Sequence, residues 1–293
     1  MVDLQGARRP GTLADRTHGV HMACDLYSRP ALPLAETKRR LAADSGEITM
    51  GRLITLLYGG VCYALAMATI LYAICFIGGF GPLSLDKGGP AAGTVAAIVI
   101  DLVLLGIFAI QHSVMARPAF KAWWTSIVPG AIERSTYVLA SSLALLLLYW
   151  QWRPMGGVVW EVKQPLIAGI LIAIFWLGWA VLFISTFLIN HFDLFGLMQV
   201  WNAWRGTAAK ASEFRTPFFY RFVRHPIYVG FILAFWATPR MTQSHLLFAA
   251  ASTAYIFIGI WLEERDLVAQ FGDAYRRYRE RVSMIVPMPP RKG

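Results

Sequence analysis

Three short stretches carry side chains whose types and spacing suit chemistry. In 224-RHPIYVG-230, a cation and an imidazole, Arg224 and His225, stand at the edge of an apolar run that opens with Pro226. Proline fits the first turn of a helix, where its missing N–H costs nothing. The free N–H groups of Ile227, Tyr228 and Val229 then make a helix N-terminus that attracts an anion. In 261-WLEERDLVAQFG-272, the adjacent carboxylates Glu263 and Glu264 end another apolar run. Acids there oppose the helix dipole if the helix stops at that point. Either the helix runs on to Gly272, a C-cap candidate, or the carboxylates serve a ligand, and both can hold. In 189-INHFDLFGLMQVW-201, His191, Asp193 and Gln199 lie among Phe192, Phe195 and Trp201. His191 and Asp193 do not share a helix face but can converge from a turn. An interfacial aromatic belt is the plain alternative for this stretch.

Two further ionisable residues fall in apolar runs, where such groups are functional candidates by default. His112, in 111-QHSVMARPAFK-121, ends its run, as a capping group would. Asp101 falls mid-run in 98-IVIDLVLLG-106, at a different depth from the other candidates, and reads as a buried, hydrogen-bonded acid.

The elements that must position these residues are membrane helices. The chain has 293 residues, 57% hydrophobic and only 15% charged. A soluble domain carries about 25% charged residues. Apolar runs long enough to cross a bilayer fall at about 53–78, 91–111, 135–152 and 166–189, and two shorter ones at 226–238 and 246–262 flank the polar turn 239-PRMTQS-244. The expected fold is an all-α integral membrane protein of five to six transmembrane helices, the fifth segment tilted or partial, with a C-terminal pocket facing the cytoplasm. With the N-terminus inside, the regions 1–52, 112–134, 190–225 and beyond 264 hold 8, 3, 5 and 7 basic residues, against Lys87, Arg153, Lys163 and Arg240 outside. That asymmetry places both termini in the cytoplasm, and sets the net charge of +10 against anionic lipid rather than nucleic acid. Residues 1–50 read as a flexible tail, with helix around 31–44, residues 51–286 as one membrane domain and 287–293 as a second tail. The 273–282 segment reads as an amphipathic surface helix, N-capped by Asp273, with Tyr275, Tyr278 and Val282 on its packing face. Cys24, Cys62 and Cys75 show neither a CxxC pair nor zinc spacing, and no metal site is expected.

RHPxYxG, a helical hairpin and EExxL…FGxxYxxY, over about 222–286, resemble the membrane methyltransferase superfamily that includes the isoprenylcysteine carboxyl methyltransferases. QHSVMARPAFKAWW, ERSTYVLASSLALLLLYWQWRP and INHFDLFGLMQVW resemble the methanethiol S-methyltransferases of a bacterial inner membrane, over about 50–286. The resemblance implies S-adenosylmethionine as methyl donor and S-adenosylhomocysteine as product. It places Arg224, His225, Tyr228, Gly230, Glu263 and Glu264 in the donor pocket. It implies a small apolar thiol as acceptor, with His191 as first candidate base, Asp193 orienting it, Gln199 fixing the loop and His112 as second candidate. Two readings compete: an isoprenylcysteine or lipid methyltransferase, and a haem-binding membrane protein of the isomerase or denitrification type with His112 and His191 as axial ligands.

Overall fold

The structure, a computed structural model, describes residues 34–207 and 216–289. The expected tail over 1–50 falls largely outside the described residues, as does most of the 287–293 tail. Arg52–Gly293 forms one compact unit, and Met1–Gly51 groups separately. The elements in order are α1 (Leu34–Gly78), α2 (Thr94–Ala116), α3 (Pro118–Trp124), α4 (Gly130–Gln151), β1 (Val158–Glu161), α5 (Pro165–Ile189), the single turn α6 (His191–Leu194), α7 (Leu197–Arg205), a 3-10 turn (Phe218–Arg221), α8 (Pro226–Trp236), β2 (Arg240–Thr242), α9 (Gln243–Phe271) and α10 (Asp273–Arg281).

Among the described residues, five helices are long and apolar enough to span a membrane: α1 from Thr49, α2, α4, α5 and α9. The sixth expected span, α8, has 11 residues. At 1.5 Å per residue it reaches about 16 Å, half of a ~30 Å hydrocarbon core. The polar stretch after it is not a plain turn. Its residues Arg240–Thr242 form β2, which pairs antiparallel with β1 in the connection between α4 and α5. Short α8 is therefore completed by extended chain, and the small ribbon satisfies the backbone groups that a broken helix exposes. The Thr242 hydroxyl then caps α9 by accepting from the His245 N–H at 3.1 Å.

Among the described elements, α5 and α8 share the most extensive contact. Glycine makes it close. A β-carbon on Gly230 would lie 2.6 Å from the Gly178 carbonyl oxygen and 2.8 Å from the Leu182 nitrogen. Gly230, which the resemblance placed in the donor pocket, is thus occupied by packing against α5.

At the far end, buried Asp101 accepts from the Arg153 N–H at 2.9 Å, tying α2 to the residue just past α4. It takes no part in the clusters below. At the other end α9 runs past Glu263 and Glu264 to Phe271 and stops at Gly272, whose positive φ of +56° favours glycine. Asp273 is the first residue of α10 rather than its cap, because Gly272 already holds that position; its carboxylate pairs with Arg276 at 2.8 Å. Tyr275 and Val282 are buried, as the expected packing face requires.

Gly230→Ala places a methyl against backbone that cannot step aside. We expect a loss of about 1–3 kcal/mol, read as a lower melting temperature in detergent. A variant as stable as wild type would contradict the Gly178–Gly230 contact.

Candidate active site

The start of α8 and the end of α9 meet through charge. Arg224 Nε donates to Glu264 Oε1 at 2.7 Å, and His225 Nε2 lies 3.1 Å from the same oxygen. The Arg224 and Glu264 side chains are only 8% and 9% exposed. Two such charges are costly apart and tolerable together, since each offsets the other's desolvation. Arg224 Nη1 also donates to the carbonyls of Arg279 at 2.9 Å and Val282 at 2.6 Å, drawing α10 onto the same corner. The chain after α10 returns along 222–225: the N–H groups of Arg224 and His225 donate to Ser283 and Met284 carbonyls. Pro226 has no N–H and the Val229 N–H donates to the His225 carbonyl at 3.1 Å, so of the three N–H groups expected to be free only those of Ile227 and Tyr228 lack an intrahelical acceptor.

Glu263 differs from its neighbour. Its side chain is 44% exposed, accepts from the Tyr228 hydroxyl at 3.0 Å and lies 3.7 Å from His225 Nδ1. The pair therefore divides. Glu264 is consumed by the protein, and Glu263 keeps acceptor capacity facing outward. Of the six residues expected in one pocket, the structure brings together Arg224, His225, Tyr228, Glu263 and Glu264, and leaves Gly230 to α5.

His191 sits in a second cluster. Asn190, at φ 150°, breaks α5 and aims the next residue back at it. The buried imidazole places Nδ1 2.9 Å from Thr186 Oγ1 and Nε2 2.9 Å from the Tyr63 hydroxyl. Thr186 donates its own proton to the Phe183 carbonyl at 2.7 Å, so it accepts from Nδ1–H, and Nε2 takes the Tyr63 proton. Phe187 stacks on the ring at 4.2 Å, with Phe192 and Phe195 around it. Burial pushes the His191 pKa below its ordinary value. The orienting role expected of Asp193 falls to Thr186. The exposed Asp193 carboxylate instead accepts from Gln199 Nε2 at 2.9 Å, and the same amide reaches the Asp193 carbonyl, so Gln199 ties the α6–α7 loop. Trp201 is 45% exposed on α7 and walls no cluster.

His112 forms a third. Its Nδ1 lies 3.2 Å from Ser141 Oγ, and the Tyr137 hydroxyl lies 2.9 Å from Nε2 and 3.0 Å from Nδ1. Neither histidine presents a ring nitrogen free of hydroxyl partners, so the geometry does not favour axial haem ligation. Tyr63, Thr186 and Tyr137 escaped the sequence reading. They are hydroxyls on apolar helices, each remote in sequence or outside the motif that it serves.

The phospholipid methyltransferase family model matches residues 166–274. Methanethiol S-methyltransferase 1 of Bradyrhizobium diazoefficiens is 51% identical over 268 residues, 90% of this chain and 94% of that protein. Methanethiol S-methyltransferase of Mycobacterium tuberculosis is 54% identical over 243 residues, 83% of this chain and 99% of that protein. Nurim of Mus musculus is 34% identical over 204 residues, 62% of this chain and 76% of its own. No solved structure matches the chain.

A histidine with a lowered native pKa binds its proton first in the unfolded state. Its stabilising contribution is complete above about pH 6.5 and is lost as pH falls through the native value. The melting temperature should decline from pH 7 to pH 5, and His191→Asn should flatten part of that slope. Parallel slopes would contradict the buried, neutral imidazole.

Proposed function

Because the chain belongs to the methanethiol S-methyltransferase family, we propose that it methylates methanethiol to dimethyl sulfide with S-adenosylmethionine, at a site reached from the cytoplasm. When bound, the donor supplies a methyl group on a sulfonium, and S-adenosylhomocysteine leaves. The residues at the α8–α9 corner fit such a donor. Half-exposed Glu263 can accept from ribose hydroxyls or an amino group. The first turn of α8 offers N–H groups to a carboxylate. A cavity of about 360 Å³ is lined by Arg224 and by Arg279, Glu280 and Arg281 of α10, a net positive wall that suits the same negative end. The Tyr228 ring adds an aromatic face for a sulfonium, a contact of about 0.5–2 kcal/mol.

The observation that carries this reading is the unequal glutamate pair. A purely structural corner needs only Glu264 with Arg224 and His225. Glu263 with Tyr228 is a second, outward-facing acceptor and donor set that the packing does not require. Methyl transfer is an in-line displacement, so these groups act by holding the methyl carbon about 3–3.5 Å from the attacking sulfur. A small apolar acceptor suits the hydroxyl-and-aromatic interior of the bundle. The charge distribution along the sequence supports a cytoplasmic location for this corner and for both termini, in a bacterial inner membrane, with the basic side against anionic lipid.

The test is headspace detection of dimethyl sulfide from methanethiol and methyl-labelled donor with purified protein. Tyr228→Phe and Glu263→Gln should each raise the donor KM by about tenfold, near 1.4 kcal/mol, and leave the thiol KM within about twofold of wild type. Unchanged donor KM in both variants would move the donor site elsewhere. Label found on a lipid and absent from the thiol would overturn the substrate.

A further inference from the structure

Tyr255, Gly259 and Glu263 occupy one stripe of α9 at four-residue spacing. Glu263 accepts from the Tyr228 hydroxyl, and a β-carbon at Gly259 would stand 3.7 Å from that same hydroxyl. The Tyr228 phenol therefore lies against α9 at Gly259, at ordinary contact distance. One turn further in, the Tyr255 hydroxyl meets Ser113 Oγ of α2 at 3.0 Å. The residue before Ser113 is His112. Phe108 stacks on the His112 ring at 5.2 Å and stands edge-on to Tyr255 at 6.2 Å. The hydroxyls of Tyr255 and Tyr137 are both within electrostatic reach of Tyr228. A continuous line thus leads from the donor corner to His112, through α9 and α2. The His191 ring hydrogen-bonds instead to Tyr63 and Thr186, off that line.

We propose that the acceptor thiol binds among Phe108, His112, Tyr137 and Tyr255, and that His112 with Tyr137 removes its proton. This rests on the thiol S-methyltransferase reading above. Ser141 donates its hydroxyl proton to the Tyr137 carbonyl at 3.0 Å, so it accepts from His112 Nδ1–H, and Nε2 carries the lone pair. The Tyr137 hydroxyl stands 2.9 Å from Nε2 and 3.0 Å from Nδ1, against the ring on the side that joins the two nitrogens, and reaches Nε2 by a turn of the imidazole. The thiol proton passes to the Tyr137 oxygen as the phenol proton passes to Nε2, leaving imidazolium, neutral tyrosine and thiolate. The thiolate sulfur forms the new S–C bond, the donor's C–S⁺ bond breaks, and its electron pair stays on the donor sulfur. Water then takes the proton from His112. Phe108 and the Tyr255 ring supply the apolar contacts for a one-carbon substituent, and the Tyr255 hydroxyl borders the donor side.

The test compares two acceptors of different acidity, methanethiol and 2,2,2-trifluoroethanethiol, the second far more ionised at the same pH because its CF3 group withdraws electrons. With methanethiol, His112→Asn and Tyr137→Phe should each lose about 100-fold or more in kcat/KM, the range of general-base catalysis. With the acidic thiol the loss should shrink to about tenfold or less. Thermal stabilisation by S-adenosylhomocysteine, retained in each variant, shows that the fold and donor site survive. Equal losses on both thiols, or an acidity-dependent loss in His191→Asn instead, would overturn the assignment while leaving the thiol reading intact. A wild-type protein that binds donor and methylates neither thiol overturns both.

Discussion

Glu264 is the residue on which the α8–α9 corner depends. A carboxylate nine-tenths buried near the end of a spanning helix is costly unless cations meet it. Arg224 meets it with its charge and His225 with a ring nitrogen, through one oxygen. That requirement fixes where α8 begins relative to where α9 leaves the bundle. Arg224 then spends its remaining donors on the carbonyls of Arg279 and Val282, so the same charge pair also seats α10 and the chain that follows it. With Glu264 occupied, Glu263 one residue earlier is turned outward onto Tyr228.

The unequal lengths of α8 and α9 complete the arrangement. At 29 residues α9 is about 43 Å long, more than a hydrocarbon core needs, and it carries its acids beyond the apolar part. Helix α8 is short, so its first turn lies level with those acids only because β2 makes up the distance at the other end by pairing with β1. Gly178 and Gly230 let α8 press onto α5. The face of α9 that meets the corner also reaches α2 through Tyr255, which is how a surface network gains a connection to His112 inside the bundle.

Much of this was legible in the sequence because it is local. Hydropathy gave the long helices, Pro226 the start of α8, Gly272 the end of α9, and the RHP and EE motifs the residues of the corner. The rest depends on contacts between segments. An 11-residue apolar run and a 13-residue expectation differ by little in sequence, and only strand pairing shows why the shorter one suffices. Gly230 within a motif suggested room for a ligand, whereas the room is taken by α5. Asp193 stood near His191 in sequence, yet the broken backbone at Asn190 turns the imidazole back to Thr186 and Tyr63. The four-residue spacing of Tyr255, Gly259 and Glu263 was present in the sequence and was the one unused signal pointing from the donor corner to α2.

The most direct measurement is an experimental structure of the protein with S-adenosylhomocysteine. The account predicts the ribose or amino group on Glu263, the carboxylate at the start of α8, and the sulfur beside Tyr228 facing Tyr255. Ligand found beside His191 and Tyr63, with the Tyr228–Glu263 hydrogen bond undisturbed, would contradict it.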